Sequence, residues 1–234
     1  MIEEIDFETY LYISKNKFQI FLFDKKNIKN LYNKELKVDN NFHENDLNNL
    51  SKFLDDHVYM IEKLMGNFIK NIILIIESDK NLDVNIGVKK KNYNNPINQK
   101  YLENSLIDLK DLFKENYQEQ AIMHIIIVTY IVDKKKYSLF TGNLNSDNLC
   151  IEVNFQSISN DLIFAFDKVL EKYQIKITRY MSGNYIKNFF KDETIELSEM
   201  AYRLKNGQND NEVILIPKNV EIRGIFEKFF GLFS

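Results

Sequence analysis

The sequence predicts an α+β protein in which strands and amphipathic helices follow one another along the chain. Short runs rich in β-branched and aromatic residues, such as KFQIFLF at residues 17–23, have the composition and flanking polar turns of β-strands. Other stretches repeat leucine at spacings of three and four, as between Leu47 and Leu64, which is the period of an α-helix. The 234 residues include 7 glycines and 2 prolines, and 44% of them are hydrophobic. This composition predicts one large domain or two small ones, without a flexible linker.

The first part of the chain predicts three strands, a helix and a buried strand, in that order. The runs YLYIS, KFQIFLF and NLYNKELKV, separated by short polar turns, predict an antiparallel meander. The leucine spacing predicts a helix over residues 47–64, which Gly66 can end because glycine readily adopts the left-handed conformation of a helix cap. FIKNIILIIES is almost continuously apolar, so we expect a central strand that is covered on both faces.

The remainder of the chain also alternates between the two kinds of element. LDVNIGVKK predicts a strand, and the stretch after Pro96 predicts a second amphipathic helix. Two buried strands, AIMHIIIVTYIV and NLCIEVNF, precede a third helix, the strand IKITRY, a helical stretch over residues 182–206 and a last short strand, EVILIP. The second helix is expected to carry its apolar side chains on one side, namely Leu102, Leu106, Leu109 and Phe113.

Composition and missing motifs argue against several classes of function. The net charge of −3 gives no general basic field for nucleic acid. A single cysteine, Cys150, excludes an internal disulfide and is expected to be a small core residue of a cytoplasmic protein. Neither G-x-x-x-x-G-K-[ST] nor G-x-G-x-x-G occurs, and His43, His57 and His124 lack the spacing of metal ligands. We therefore expect no enzyme, no cofactor and no metal site.

Several of these runs resemble the actin-like cell-division protein family FtsA, and the resemblance covers residues 9–190. LYISKNKFQIFLFD is similar to the family's first strand, phosphate turn and second strand. NIILIIESDKNLDVNIG resembles the strand that leads into the family's small inserted subdomain, called 1C. CIEVNFQSISNDLIFAFDKVLEKYQIKI resembles the later strand, helix and strand of that subdomain. The type IV pilus protein PilM shares this architecture and is the competing relative.

One further motif belongs to the same resemblance. HIIIVTYIVD has His124, Tyr130 and Asp133 at the spacing of the family pattern H-x-x-P-x-x-Y-x-x-D, with Ile127 at the position of the proline. His124 and Tyr130 stand in an apolar strand. We expect them to be core residues with hydrogen-bond partners rather than catalytic residues.

The resemblance implies a reduced actin-like fold without a nucleotide site. The family's phosphate turn, D-x-G-[TS], has an aspartate and a glycine where this sequence has Tyr12 and Ser14, beside Lys15. The family's second half, with its D-x-G-G-G-T loop, has no counterpart in the sequence. The expected divisions of the chain are a partial actin-like (FtsA) first subdomain at 1–82, a small 1C-like α/β subdomain at 83–181, a helix and strand at 182–217, and an amphipathic C-terminal helix at 218–234.

The predicted helix at 218–234 separates its apolar and polar residues cleanly. On a helical wheel its large apolar residues fall within one arc of roughly 160°. Such a helix, with aromatic residues on its apolar face, suits the headgroup layer of a membrane, and the FtsA family ends in a helix of this kind. Docking on its own domain or on a partner is the alternative. The expected membrane-binding residues are Ile222, Ile225, Phe226, Phe229, Phe230, Leu232 and Phe233.

These observations together predict a non-enzymatic, membrane-peripheral scaffold or adaptor of bacterial cell division, on the inner face of the cell membrane. The expected partners are FtsA, FtsZ or inner-membrane division proteins, with self-association as a further expectation and no nucleic acid. Two alternatives stay open: an actin-like ATP-binding protein that a partner chain completes, and a soluble PilM-like interaction module with a self-docked terminal helix.

Overall fold

The computed structural model of the chain describes residues 6–38, 47–91, 96–138, 144–146, 148–191 and 193–213. These residues contain five helices and eleven strands, so the predicted mixture of helices and strands is confirmed. The chain divides into two compact units. The first unit comprises residues up to 81 and residues 158–208, and the second comprises residues 82–157 together with the segment from 209 onward.

A five-stranded sheet forms the centre of the first unit. The first three strands pair antiparallel in sequence order, which confirms the predicted meander. The other two strands are parallel to the first: β4 pairs with β1, and β11 pairs with β4. The order across the sheet is therefore β11-β4-β1-β2-β3. The strands are β1 (Phe7–Ser14), β2 (Lys17–Asp24), β3 (Lys29–Lys37), β4 (Asn71–Ile76) and β11 (Lys176–Ser182).

Successive side chains of a strand point to opposite faces of the sheet, and the strands of this sheet carry apolar side chains on both faces. Helices therefore cover both faces. Phe18 of β2 meets Phe53 of α1 (Asn48–Met65), with ring centroids 6.1 Å apart. Phe23, five residues on and on the opposite face, meets Tyr202 of α5 (Leu197–Lys205) at 5.1 Å. Helix α3 (Asn160–Glu171) packs against β11, and α4 (Gly183–Phe189) packs against α5. The prediction that Gly66 ends α1 is confirmed, since it caps the helix at a φ of 67°.

The second unit is a sheet with one long helix on it. Its four main strands have the order β5-β10-β7-β8, and two very short strands, β6 and β9, pair with each other. The predicted apolar side of α2 is buried against the sheet, where Phe113 stacks on Phe155 with ring centroids 4.8 Å apart. The elements are β5 (Leu82–Lys91), β6 (Pro96–Ile97), α2 (Gln99–Asn116), β7 (Gln120–Val132), β8 (Lys135–Tyr137), β9 (Leu144–Asn145) and β10 (Asn148–Ser159).

The partner of β11 differs from the interpretation made from sequence. That interpretation groups residues 160–181 with the second subdomain, as the strand and helix that complete it. In the structure, Lys176–Ser182 pairs instead with β4 in the first sheet. A parallel neighbour requires a crossover connection, and α3 supplies the helix of that crossover. The chain therefore leaves the first sheet after β4, builds the second sheet, and returns through α3 to β11.

The C-terminal part of the described chain adds to the second sheet. Ile127 donates its N–H to the carbonyl of Asn211 at 2.8 Å, and Val213 donates to the carbonyl of Ile125 at 2.8 Å. The start of the predicted strand EVILIP thus pairs with β7, while its remainder and the predicted helix at 218–234 lie outside the described residues.

None of the helices in the described ranges combines the length and apolar character needed to span a bilayer. The predicted membrane-binding residues, all outside those ranges, are Ile222, Ile225, Phe226, Phe229, Phe230, Leu232 and Phe233.

The Phe113–Phe155 stack predicts a sharp difference between two neighbouring positions of α2. Phe113→Ala removes a fully buried ring, so we expect it to lower the free energy of unfolding by about 3–5 kcal/mol. Leu112→Ala is the matched control, because Leu112 is 41% exposed and its loss is expected to change the free energy by less than about 0.5 kcal/mol. Urea denaturation of both variants measures the difference. Equal effects would contradict the packing of α2 on the sheet.

Candidate functional site

Three parallel strands of the first sheet end at the same edge. β1 ends at Ser14, β4 is followed by Glu77, and β11 ends at Ser182, directly before α4. In sheets with parallel strands, ligands usually bind at the carboxyl ends of the strands. The side chains at this edge therefore form the candidate site. We call four of these residues, Tyr12, Glu77, Gly183 and Lys187, the strand-end cluster.

Tyr12 fills the middle of the cluster. Its side chain is buried, with 1% of the residue exposed. The Lys187 amine donates a hydrogen bond to the Tyr12 hydroxyl at 2.7 Å and lies 4.7 Å from the ring centroid. A second amine, that of Lys17, lies 5.5 Å from the same ring. Burial raises the pKa of the Tyr12 hydroxyl, against the opposing effect of the hydrogen bond from Lys187. The phenol is therefore neutral and serves as an acceptor for the lysine.

Glu77 holds the same lysine from the neighbouring strand. Lys187 Nζ lies 2.5 Å from Glu77 Oε1 and forms an ion pair with it. Burial alone would lower the pKa of Lys187, but the contacts with Glu77 and Tyr12 outweigh burial and hold the pKa above its ordinary value. The backbone N–H of Glu77 also donates to the carbonyl of Ile13 at 2.9 Å, so the residue is fixed to the end of β1. The Lys187 amine thus links α4 to the side chain of Tyr12 on β1 and to the side chain of Glu77 after β4.

The start of α4 explains how Lys187 reaches this position. Ser182 Oγ accepts a hydrogen bond from the N–H of Tyr185 at 3.3 Å and caps the helix. A Cβ at Gly183 would lie 2.7 Å from Cγ of Glu77, closer than real Cβ contacts, so any other residue at this position would displace the Glu77 side chain. Lys187 follows Gly183 by one helical turn, which returns its side chain to the same edge.

The turn between β1 and β2 is closed by its own side chains. Ser14 is buried, and its hydroxyl lies within hydrogen-bonding distance of two acceptors, Asn16 Oδ1 at 2.9 Å and the carbonyl of Lys17 at 3.3 Å. Lys15 forms an ion pair with Asp79, which follows β4. The backbone of the turn is therefore bordered by side chains on both sides.

The family motif on β7 does not assemble into one site. His124 lies with its Nδ1 2.8 Å from Oε1 of Glu212, and both side chains are buried. Tyr130 is buried six residues further along the strand, about 20 Å away at the rise of an extended chain, and burial raises its pKa to about 12. Asp133 is exposed in the turn after β7. The expectation that His124 and Tyr130 are core residues is confirmed.

The first unit and the inserted second unit place the chain in a known structural class. The parallel pairing of β1, β4 and β11 and the turn after β1 fit the expected actin-like fold, whereas the return to this sheet through α3 departs from the expected division of the chain. In comparison with solved structures, the chain shares its fold with the PilM–PilN type IV pilus biogenesis complex, which it matches with a TM-score of 0.50. That match has 6% sequence identity and covers 78% of this chain and 49% of the other.

Other comparisons give weaker or no matches. A Bacteroides thetaiotaomicron protein with an actin-like ATPase fold matches with a TM-score of 0.37 and 15% identity, over 82% of this chain and 60% of the other. The cytoplasmic domain of EpsL, an inner-membrane component of the type II secretion system of Vibrio cholerae, matches with a TM-score of 0.38 and 9% identity, over 77% and 58%. No family model and no curated protein matches the sequence. The chain spans about half the length of the PilM–PilN chain that it matches.

The strand-end cluster lies where the FtsA resemblance places the phosphate turn. A magnesium nucleotide there requires a carboxylate for the hydrated cation and open backbone for the phosphates. Tyr12 offers a phenol instead of a carboxylate, and the Ser14 side chain occupies the place of a glycine. The residues at these two turn positions therefore do not fit the way in which the family holds a magnesium nucleotide.

Reasoning from sequence identified Tyr12 and Ser14 but missed their neighbours. Glu77 stands at the end of a predicted strand without a motif, and residues 182–206 read as one helical stretch that contains Lys187. The available signal was the pair Ser182–Gly183 directly after an apolar strand, which is typical of a capped helix start. Glu212 was missed as the partner of His124 because the two residues are 88 positions apart.

The contact between Gly183 and Glu77 predicts a coupled pair of substitutions. Gly183→Ala forces Glu77 away from its place, so we expect a loss of about 1–3 kcal/mol in the free energy of unfolding. Glu77→Ala removes the group that clashes, so the double variant should lose less than the sum of the two single losses, by about 1 kcal/mol or more. Gly87→Ala is the matched control, since its Cβ would meet only the carbonyl of Ile151 at 3.7 Å. Urea denaturation gives all four values, and strictly additive losses would contradict the contact.

Proposed function

We propose that the chain is a non-enzymatic protein-interaction scaffold of a membrane-associated bacterial assembly. The observation that carries this proposal is the strand-end cluster, in which Lys187 joins Tyr12 and Glu77 at the place of the family's phosphate turn. An actin-like fold whose ligand edge is occupied by its own side chains acts through its surfaces. Binding of other proteins is the function that such surfaces support best.

Electrostatics at the cluster also disfavours a phosphate ligand. A phosphate there would displace the Lys187 amine from Glu77, whose side chain is only 22% exposed and would lose its counter-ion. It would also stand near a second carboxylate, that of Asp79, which pairs with Lys15. Carboxylates repel phosphate, and Glu77 and Asp79 therefore disfavour the ligand that the fold family ordinarily holds. This supports the non-enzymatic scaffold over the alternative of an ATP-binding protein completed by another chain.

Exposed apolar side chains on the first unit supply candidate contact surfaces. Met60 and Leu64 lie one turn apart on α1, and Phe68, just after that helix, is 75% exposed. Phe164 on α3 is 71% exposed. Large aromatic and aliphatic side chains in water are typical of protein-binding sites. β3 is the last strand of the sheet in the part of the chain that the structure describes, and its outer edge offers backbone groups for strand addition as well.

The resemblance to FtsA suggests bacterial cell division as the setting. In that setting the chain binds FtsA, FtsZ or inner-membrane division proteins, and the segment 218–234 holds it on the inner face of the cell membrane. Self-association through strand edges is part of the same proposal. The apolar residues from Ile222 to Phe233 provide the membrane contact.

A second setting has its own support in the fold. The match with the PilM–PilN complex supports a PilM-like interaction module, in which the terminal segment packs on the protein itself and the partner belongs to a pilus-type assembly. Both settings share the central statement that the chain binds proteins rather than converting a substrate. They differ in the partner and in the role of residues 218–234.

The first test asks whether a nucleotide binds. A ligand at a hundred times its Kd stabilises a protein by about 2.7 kcal/mol, which raises the Tm of a chain of this size by roughly 5–10 °C. We expect ATP or a non-hydrolysable analogue with Mg²⁺ to leave the Tm unchanged relative to Mg²⁺ alone. A magnesium-dependent rise in a thermal unfolding assay would show that the site holds a nucleotide and would overturn the proposal.

The second test asks where the protein works. A fluorescent fusion to the N-terminus, expressed in the bacterium that encodes the chain, is expected to form a band at mid-cell. Phe226→Glu combined with Phe229→Glu should disperse the band if the terminal segment binds the membrane, whereas Glu221→Gln, the control, should leave it in place. Diffuse fluorescence of the unaltered fusion would remove the cell-division setting. Capture of pilus proteins by the same fusion would then identify the second setting.

A further inference from the structure

Six lysines from two distant parts of the sequence lie at one end of the second sheet. Three of them end β5, and the other three follow β7 in the turn and in β8. The chain as a whole has a net charge of −3, so this end is a local exception to its charge. The lysine cluster consists of Lys89, Lys90, Lys91, Lys134, Lys135 and Lys136.

The pairing of the strands brings the two groups together. Lys91 is opposite Asn148, the first residue of β10. The carbonyl of Asn148 accepts a hydrogen bond from the N–H of Asp133 at 3.4 Å, which places the turn after β7 on the other side of β10. Two strand spacings, about 10 Å, separate β5 from β7, and β8, which carries Lys135 and Lys136, lies one spacing further, at about 14 Å. Positive φ angles of 45° at Asp133 and 70° at Lys134 make the turn a tight hairpin, so its lysines are held at the end of the sheet.

Most of these amines face solvent without a fixed counter-ion. Lys89, Lys91 and the three lysines of the hairpin are exposed. Among the described residues none of these five forms an ion pair. Lys90 pairs with Asp108 and lies 5.8 Å from the ring centroid of Tyr101. Asp133 is the one carboxylate within the hairpin turn itself. Within the described ranges, the end of the sheet therefore carries more positive charge than its ion pairs and Asp133 balance.

We propose that the lysine cluster binds the acidic headgroups of a phospholipid bilayer and so forms a second membrane contact, distinct from residues 218–234. The cluster contains lysine and no arginine. Arginine is preferred where bases, phosphates or carboxylates are recognised in a fixed geometry, whereas lysines act as point charges that suit diffuse attraction to a charged surface. Tyr137, partly exposed beside Lys136, is an aromatic residue of the kind found at headgroup level.

The composition of the terminal segment supports this assignment. Arg223 and Lys228 of that segment are balanced by Glu221 and Glu227, so its apolar residues come with no net attraction to anionic lipid. Stable attachment of a peripheral protein generally takes two signals, such as an apolar anchor and a polybasic patch. The inference thus rests on the membrane attachment in the proposed function and adds the electrostatic signal. Since the chain carries net negative charge, an anionic surface attracts this end and repels the rest.

Co-sedimentation of the full chain with vesicles tests the inference. Vesicles of phosphatidylcholine alone are compared with vesicles that also contain phosphatidylserine. Lys134→Gln, Lys135→Gln and Lys136→Gln are combined in one variant. The matched control combines Lys26→Gln, Lys29→Gln and Lys34→Gln, which remove three exposed lysines from the β2–β3 hairpin of the first unit. Each lysine near an anionic surface contributes roughly fivefold, so the cluster variant should bind phosphatidylserine vesicles about 100-fold more weakly. The control should bind as the unaltered chain does, and high salt should abolish the difference.

The outcomes separate this inference from the proposed function. If the unaltered chain binds vesicles and the cluster variant binds them equally well, the lysine contact is wrong and membrane attachment stands. If the unaltered chain binds neither kind of vesicle, both are wrong. If the cluster variant keeps its vesicle binding but loses binding to a nucleic acid duplex, the cluster is a nucleic-acid site and the inference is overturned. Thermal unfolding of both variants checks that these exposed substitutions leave the fold intact.

Discussion

The ammonium group of Lys187 holds together the edge on which the first unit depends. It contacts the hydroxyl of Tyr12 on β1 and the carboxylate of Glu77 after β4, while its own helix begins at the end of β11. Three parallel strands that arrive from distant parts of the chain are thereby joined at one point. The constraint extends to Gly183, where any side chain would strike Glu77. In the proposed function, this edge, which usually receives a ligand in such sheets, serves as a structural joint.

In the proposed function, partners bind at surfaces outside the strand-end cluster. Tyr12 places a buried phenol where the family's turn has an aspartate, and the carboxylates at this edge, Glu77 and Asp79, are paired with lysines. In the proposed function the binding features are on the surface: apolar side chains such as Phe68 and Phe164, the edge of β3 and the lysine cluster. Their chemistry differs, since the first are suited to proteins and the last to an anionic surface. A scaffold that binds partners at a membrane uses both kinds.

Local patterns in the sequence predicted local structure well. The aromatic and β-branched runs with polar turns between them identified the meander, Gly66 marked the end of α1, and the stripe from Leu102 to Phe113 identified the buried side of α2. Pairings between distant residues left no such pattern. Tyr12 and Lys187 are 175 positions apart, and nothing in IKITRY indicates that β11 joins β4 rather than the second sheet. The cluster could be predicted only as a departure from the family's turn, because its other members depend on that pairing.

The most direct measurement is a crystal structure of the chain grown with Mg²⁺ and a non-hydrolysable ATP analogue. If the strand-end cluster is a structural joint, the electron density will show the Lys187 amine between the Tyr12 hydroxyl and Glu77, at distances near 2.7 and 2.5 Å, with no phosphate beside the turn. Density for phosphates and magnesium at that turn, with Lys187 withdrawn from Glu77, would contradict it.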